Sequence, residues 1–152
     1  MSLSIHSDDH FMKMALQEAH NAFEEGEIPV GAIITANNRI IAKAHNQVQR
    51  LNDVTAHAEM LAITAAQNYL GSKYLNDCTL YVTLEPCIMC GGALYWSQLN
   101  RLVIGAKDTK RGYQSKNVDI IHPKTTVVQG ILQEDCEMLM LSFFNKMRGN
   151  NF

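Results

Sequence analysis

Apolar residues between Asp9 and Glu25 fall at Phe11, Ala15, Leu16, Ala19, Ala22 and Phe23, the three- and four-residue spacing of one helix face, and Gly26 ends the run. The pattern then changes period. Val30 to Thr35 and Arg39 to Ala44 are β-rich stretches on either side of Asn37-Asn38, a pair suited to a tight turn, and together they predict a hairpin. Asn46 to Asp53 is polar and reads as a loop. A helix is expected from about His57 to Tyr69, with Gly71 as its stop, then a short strand from Thr79 to Thr83 and a helix from Cys87 to Leu99. Arg101 to Gly105 and Thr125 to Gly130 read as the last strands. Gln133 to Arg148 closes the chain as a helix whose apolar face carries Leu139, Met140, Phe143, Phe144 and Met147. A hairpin followed by alternating helices and strands predicts an α/β fold with a mixed five-stranded sheet and helices on both faces.

Composition narrows the class. With 152 residues and 47% hydrophobic content the chain suits one compact domain over residues 1–152. No apolar run reaches the length of a membrane span and the first residues lack the basic-then-apolar order of a signal peptide, so a cytoplasmic protein without membrane contact is expected. Net charge is −2, which gives no global attraction to a polyanion. Its distribution is uneven. Between Arg101 and Lys124 stand six basic residues, Arg101, Lys107, Lys110, Arg111, Lys116 and Lys124, against Asp108 and Asp119. That segment reads either as a path for a phosphate backbone or as an ordinary solvated loop.

The chemistry is concentrated in His57-Ala58-Glu59 and in Thr83-Leu84-Glu85-Pro86-Cys87-Ile88-Met89-Cys90. A zinc ion used for hydrolysis takes three protein ligands and keeps one position open, whereas a structural zinc is closed by four. His57, Cys87 and Cys90 supply three. Glu59, two residues past the histidine, is placed to carry protons without ligating, which makes it the catalytic candidate. Pro86 suits a first helical position, and Cys87 and Cys90, three apart, then point the same way from one helical turn. A helix start also favours the thiolate that a metal requires. Of the four cysteines, Cys78 and Cys136 have no ligand spacing and are expected as buried free thiols.

His-x-Glu with Pro-Cys-x-x-Cys is a known signature of zinc nucleobase deaminases. The residues from Thr83 to Cys90, followed by Gly91-Gly92-Ala93, resemble the core of the bacterial tRNA adenosine deaminases, a family of cytidine deaminase-like three-layer fold. Gly26-Glu27-Ile28-Pro29-Val30-Gly31-Ala32, Asn46, Asp53, Thr55 to Glu59, Gly105-Ala106-Lys107-Asp108 and Phe143-Phe144 carry the resemblance across most of the chain. It implies one Zn2+ per subunit, a homodimer, and conversion of the wobble adenosine of a tRNA anticodon stem-loop to inosine. It also implies substrate contacts: Asn46 holding the nucleoside, Ala58 offering a backbone N–H near the pocket, Pro29 and Leu84 shaping its walls, and Asp108, Lys110 and Phe144 meeting the anticodon loop. One of Phe143 and Phe144 belongs to the core, and Phe144 is the one expected at the substrate.

The chain departs from the family pattern in Arg111-Gly112-Tyr113-Gln114-Ser115-Lys116-Asn117, where a small Gly- and Ala-rich turn is common, and in lacking the basic tail of some members. Two rival readings stand beside the first. One is a related zinc deaminase for a free nucleobase or nucleotide, such as guanine, cytosine or deoxycytidylate. The other is a non-catalytic zinc-stabilised RNA-binding module, in which Glu59 would have no use.

Overall fold

The computed structural model describes residues 6–149. Helix α1, Asp8–Glu24, starts at the N-cap Ser7, whose side chain accepts from the His10 N–H, and its chain leaves through Gly26 at φ 77°. Strands β1, Gly31–Ala36, and β2, Arg39–His45, form the hairpin. Both turn residues are left-handed, Asn37 at φ 53° and Asn38 at φ 61°, the conformation that a two-residue turn needs to match strand twist. The polar stretch after β2 is more than a loop: it holds a short helix α2, Val48–Leu51. Helix α3, Ala58–Leu70, ends on left-handed Gly71. Strand β3, Cys78–Leu84, leads to helix α4, Ile88–Trp96, and then to β4, Arg101–Ala106, β5, Thr126–Gln129, and α5, Gln133–Gly149.

The five strands lie in the order β2-β1-β3-β4-β5. β1 is antiparallel to β2 and β3, while β3, β4 and β5 run parallel, so the sheet is mixed as expected. Register sorts the side chains into two layers. Ile34, Leu80 and Leu102 are cross-strand partners and pack with α3 and α4 residues such as Ala62, Ile63 and Leu94. One residue along, Ile33, Tyr81 and Val103 form the next row and pack on the other face with Phe11, Met12, Ala15, Cys136 and Leu139 of α1 and α5. The central strands are buried on both sides, which is why they read as continuous apolar runs.

Two close approaches fix the layers. A Cβ on Gly31 would lie 2.0 Å from the Ala15 carbonyl oxygen and one on Gly105 2.5 Å from Cys136 Sγ, so glycine lets α1 and α5 sit directly on the sheet. Asp8, in the first turn of α1, accepts from Arg101 Nη1 at 2.7 Å and Nη2 at 2.6 Å and from the Tyr81 hydroxyl at 3.1 Å. That bidentate pair takes Arg101 out of the basic segment. Cys78 and Cys136 are buried free thiols. On α5, Phe143 is buried and Phe144 exposed, as expected, but Met147 is exposed and does not belong to the packed face.

Candidate metal centre

Two helix starts meet above the sheet. His57 is the N-cap of α3 and Cys87 the N-cap of α4, both with extended backbone and neither with a side-chain capping bond. Each side chain turns instead toward the space between the helices. Pro86 therefore precedes the helix and is not its first residue, and α4 stops at Trp96, three residues earlier than the apolar pattern suggests, because Gln98 turns left-handed at φ 56°. Cys87 and Cys90 occupy the cap and third positions, so the i, i+3 geometry survives the shift.

His57 Nδ1 lies 3.7 Å from Cys87 Sγ and 3.6 Å from Cys90 Sγ, and all three donor atoms lie within 4.8 Å of one another. Tetrahedral zinc with ordinary Zn–N and Zn–S bonds requires an N···S separation of roughly 3.6 Å. The donor set fits that ion, and its three-fold count leaves a position open. The partial positive charge at the two helix starts favours thiolate there. Bonding from Cys90, opposed by burial and helped by His57, pushes the Cys87 thiol down to about 4, whereas its bond to Cys87 and burial raise Cys90. The bond to Cys87 in turn raises His57.

Glu59 follows two residues after the histidine, in the first turn of α3, and is buried. Burial is the main cause that pushes its carboxyl up to about 7, with its own backbone N–H and His57 pulling the other way. The field of a cation held by the neighbouring donors opposes that rise. A carboxyl in this range both accepts and releases protons near neutral pH.

Around this centre the other expected residues separate into near and far. Asn46 is buried, and its Oδ1 accepts from the Ala58 N–H at 2.7 Å. The Ala58 N–H expected near the pocket is thus engaged by Asn46, which caps α3 from outside and keeps its amide NH2 available. Pro29 is fully buried in the turn before β1, and the Val30 carbonyl there accepts from the Asn46 N–H at 3.2 Å. Leu84 ends β3 half-buried. Asp108 and exposed Lys110 lie on the loop after β4, where Asp108 Oδ1 accepts from the Lys110 and Arg111 N–H groups at 3.1 and 3.0 Å. Phe144 stands apart: α5 packs beside α1, across the sheet from α3 and α4, and its ring neighbour is Phe143 at 5.5 Å.

Sequence reasoning passed over two buried carboxylates, Glu27 and Glu85. The signal was present: each is an acid inside an otherwise apolar motif, Gly26-Glu27-Ile28-Pro29 and Leu84-Glu85-Pro86-Cys87. It also passed over Tyr113, which is buried in the core shared with α3 and α4 and whose N–H donates to the Pro86 carbonyl.

Residues 5–106 match the model of the cytidine and deoxycytidylate deaminase zinc-binding region. The tRNA-specific adenosine deaminase of Aquifex aeolicus (strain VF5) is 47% identical over 146 residues, covering 93% of this chain and 97% of that protein. A solved structure from a study of A-to-I editing by tRNA:A34 deaminases at the wobble position of transfer RNA is 38% identical with a TM-score of 0.80, covering 86% of this chain and 98% of its own. Guanine deaminase from Bacillus subtilis is 41% identical with a TM-score of 0.65, over 68% of this chain and 66% of that one. With the ligand geometry, the three-layer fold and near full-length similarity in agreement, the chain belongs to the zinc-binding cytidine and deoxycytidylate deaminase family, among its bacterial tRNA-specific adenosine deaminases.

Proposed function

We propose that the whole chain works as one domain that hydrolytically deaminates the wobble adenosine of a tRNA anticodon to inosine, releasing ammonia. The observation that carries this is buried Glu59 beside a three-donor set, in a chain similar over nearly its whole length to a tRNA-specific adenosine deaminase. His57, Cys87 and Cys90 would hold zinc, which when bound supplies the Lewis acidity that makes water a usable nucleophile at neutral pH. Glu59 takes a proton from the attacking water and gives it to the ring nitrogen as oxygen adds at C6. The same carboxylate then takes the proton of the C6 hydroxyl and delivers it to the amine as the C6–N bond breaks, leaving the C6 carbonyl of inosine and ammonia. Asn46, its oxygen fixed by Ala58, presents its NH2 to the purine, and Pro29 and Leu84 wall the site.

Asp108, Lys110 and Phe144 are the proposed contacts to the rest of the anticodon loop. Lys107, Lys110, Arg111, Lys116 and Lys124 are exposed, which leaves five of the six basic residues of that segment able to meet phosphates. A base must leave its stack to reach a buried carboxyl, and a single-stranded loop permits that at small cost. The working form is proposed to be a cytoplasmic homodimer. Among the described residues no helix is long and apolar enough to cross a membrane. The outer sides of α3 and α4 border a groove of about 650 Å³, beside which Trp96 is 77% exposed, the kind of apolar surface that a second copy would cover.

The deciding experiment incubates zinc-loaded protein with an anticodon stem-loop bearing adenosine at the wobble position, and separately with guanine, cytosine, deoxycytidylate and adenosine. Inosine and ammonia from the stem-loop are expected. Turnover of guanine with none of the stem-loop would transfer the assignment to the free-base deaminases.

A further inference from the structure

Glu27 and Glu85 are 2% and 3% exposed and have no part in the proton transfers above. A buried carboxylate must have its acceptor sites filled, and each of these is filled by backbone N–H groups of one connecting segment. Glu27 Oε1 accepts from Gln49 at 3.1 Å and Oε2 from Arg50 at 2.9 Å, N–H groups in the first turn of α2, which fastens the segment that begins at Asn46. Glu85 Oε1 accepts from Asp108 at 3.0 Å and Oε2 from Gln114 at 2.9 Å, which closes the segment carrying Lys110 and Arg111.

The two fastened loops border the metal centre from different sides. Asn46 binds the first residue of α3, next to His57. Gly112 pairs with Cys87 in an isolated bridge, and the Tyr113 N–H donates to the Pro86 carbonyl at 2.9 Å. The segment passes so near the carboxylate that a Cβ on Gly112 would lie 2.4 Å from Glu85 Cδ. The residues that depart from the family pattern are therefore tied directly to the metal-bearing helix. Asp108 tightens the turn further by accepting from the N–H groups of Lys110 and Arg111, so the exposed basic side chains stand on a fixed backbone.

We infer that Glu27 and Glu85 are positioning residues, paired clamps that hold the two loops flanking the metal centre in the shape that receives the RNA. The inference rests on the RNA reading given above. A carboxylate serves this purpose and a carboxamide does not: two N–H groups per side chain need two acceptor oxygens, and the amide nitrogen of glutamine would face one of them, donor against donor. Volume is unchanged by that swap. What is lost is loop definition, and with it the entropy saved before the substrate arrives.

The test compares wild-type, Glu27→Gln and Glu85→Gln enzymes, each zinc-loaded, by steady-state kinetics on the stem-loop, zinc content and amide hydrogen exchange. The expected result is a KM raised about tenfold with kcat within about twofold, one zinc per chain retained, and exchange faster by about a hundredfold at Gln49 and Arg50 or at Asp108 and Gln114. Gly112→Ala should reproduce the Glu85→Gln kinetics with the carboxylate still present, which keeps the Glu85 clamp testable should that variant fold poorly. Unchanged exchange and KM would overturn the clamps, as would a kcat loss at unchanged KM or loss of zinc, which would make these residues parts of the metal centre. Variants that exchange as described beside a wild-type protein that turns over no RNA would overturn the functional reading instead, and with it the RNA role of the loops.

Discussion

Glu59 and His57 are separated by a single residue, yet the helix start turns one inward to burial and the other toward two sulfurs. Burial raises the carboxyl, a cation on the neighbouring donors would lower it, and the balance of the two sets its readiness to take and give protons. Glu59→Gln keeps the shape and removes the proton carrier. Its kcat should fall by about 10²- to 10⁴-fold while zinc stays bound, measured by inosine formation alongside metal analysis. Loss of zinc together with activity would instead mean that Glu59 supports the donor set. Asn46 shows how a neighbour with a bland appearance acquires a definite orientation: the Ala58 N–H engages its oxygen, which fixes the plane of the amide.

Among elements, α1 is attached to the sheet by a polar bond at its beginning as well as by its apolar stripe. Asp8 reaches across the layer to Arg101 on β4 and Tyr81 on β3. Bonding to Arg101, partly offset by burial, holds the Asp8 carboxyl below its usual range. Because the folded value lies below the unfolded one, the stabilisation is whole above about pH 4 and disappears as pH falls through the folded value. Asp8→Asn should lower unfolding stability by about 1–2 kcal/mol at pH 7, allowing for partial solvent screening of the pair. In denaturant titrations at decreasing pH, the gap between wild type and variant should close below pH values of about 4. A constant gap would show that the loss comes from packing and not from the charge pair.

For the molecule as a whole, the two faces of the sheet divide the labour. One face carries α1 and α5 over a closed apolar core, and the other carries α3 and α4 with the donor set at their starts and Trp96 exposed at the far end of α4. A second copy covering that exposed side would explain an indole left in solvent. Trp96→Glu should shift the mass in solution from dimer to monomer at micromolar concentration, read by light scattering, with zinc content unchanged. A wild-type monomer with full activity on the stem-loop would remove the dimer from the functional unit.

The reading from sequence reached the sheet, the helices around it and the ligand trio because those depend on local patterns. Period-2 and period-3.6 apolar spacing reports which faces are buried, and His-x-Glu and Cys-x-x-Cys each hold their own residues within a turn, while the fold closes the 30-residue separation between His57 and Cys87. Helix ends moved by a few residues, as Pro86 and Leu99 did, because caps depend on where the chain goes next. The fate of Arg101, the exposure of Met147 and the two buried carboxylates were decided only in three dimensions. Each depends on a partner 22 or more residues away, or on which side of α5 meets α1, and no window of sequence contains both halves of such a contact. Chemistry followed from residues close in the chain; the shape of the opening around it follows from backbone groups that only folding brings to Glu27 and Glu85.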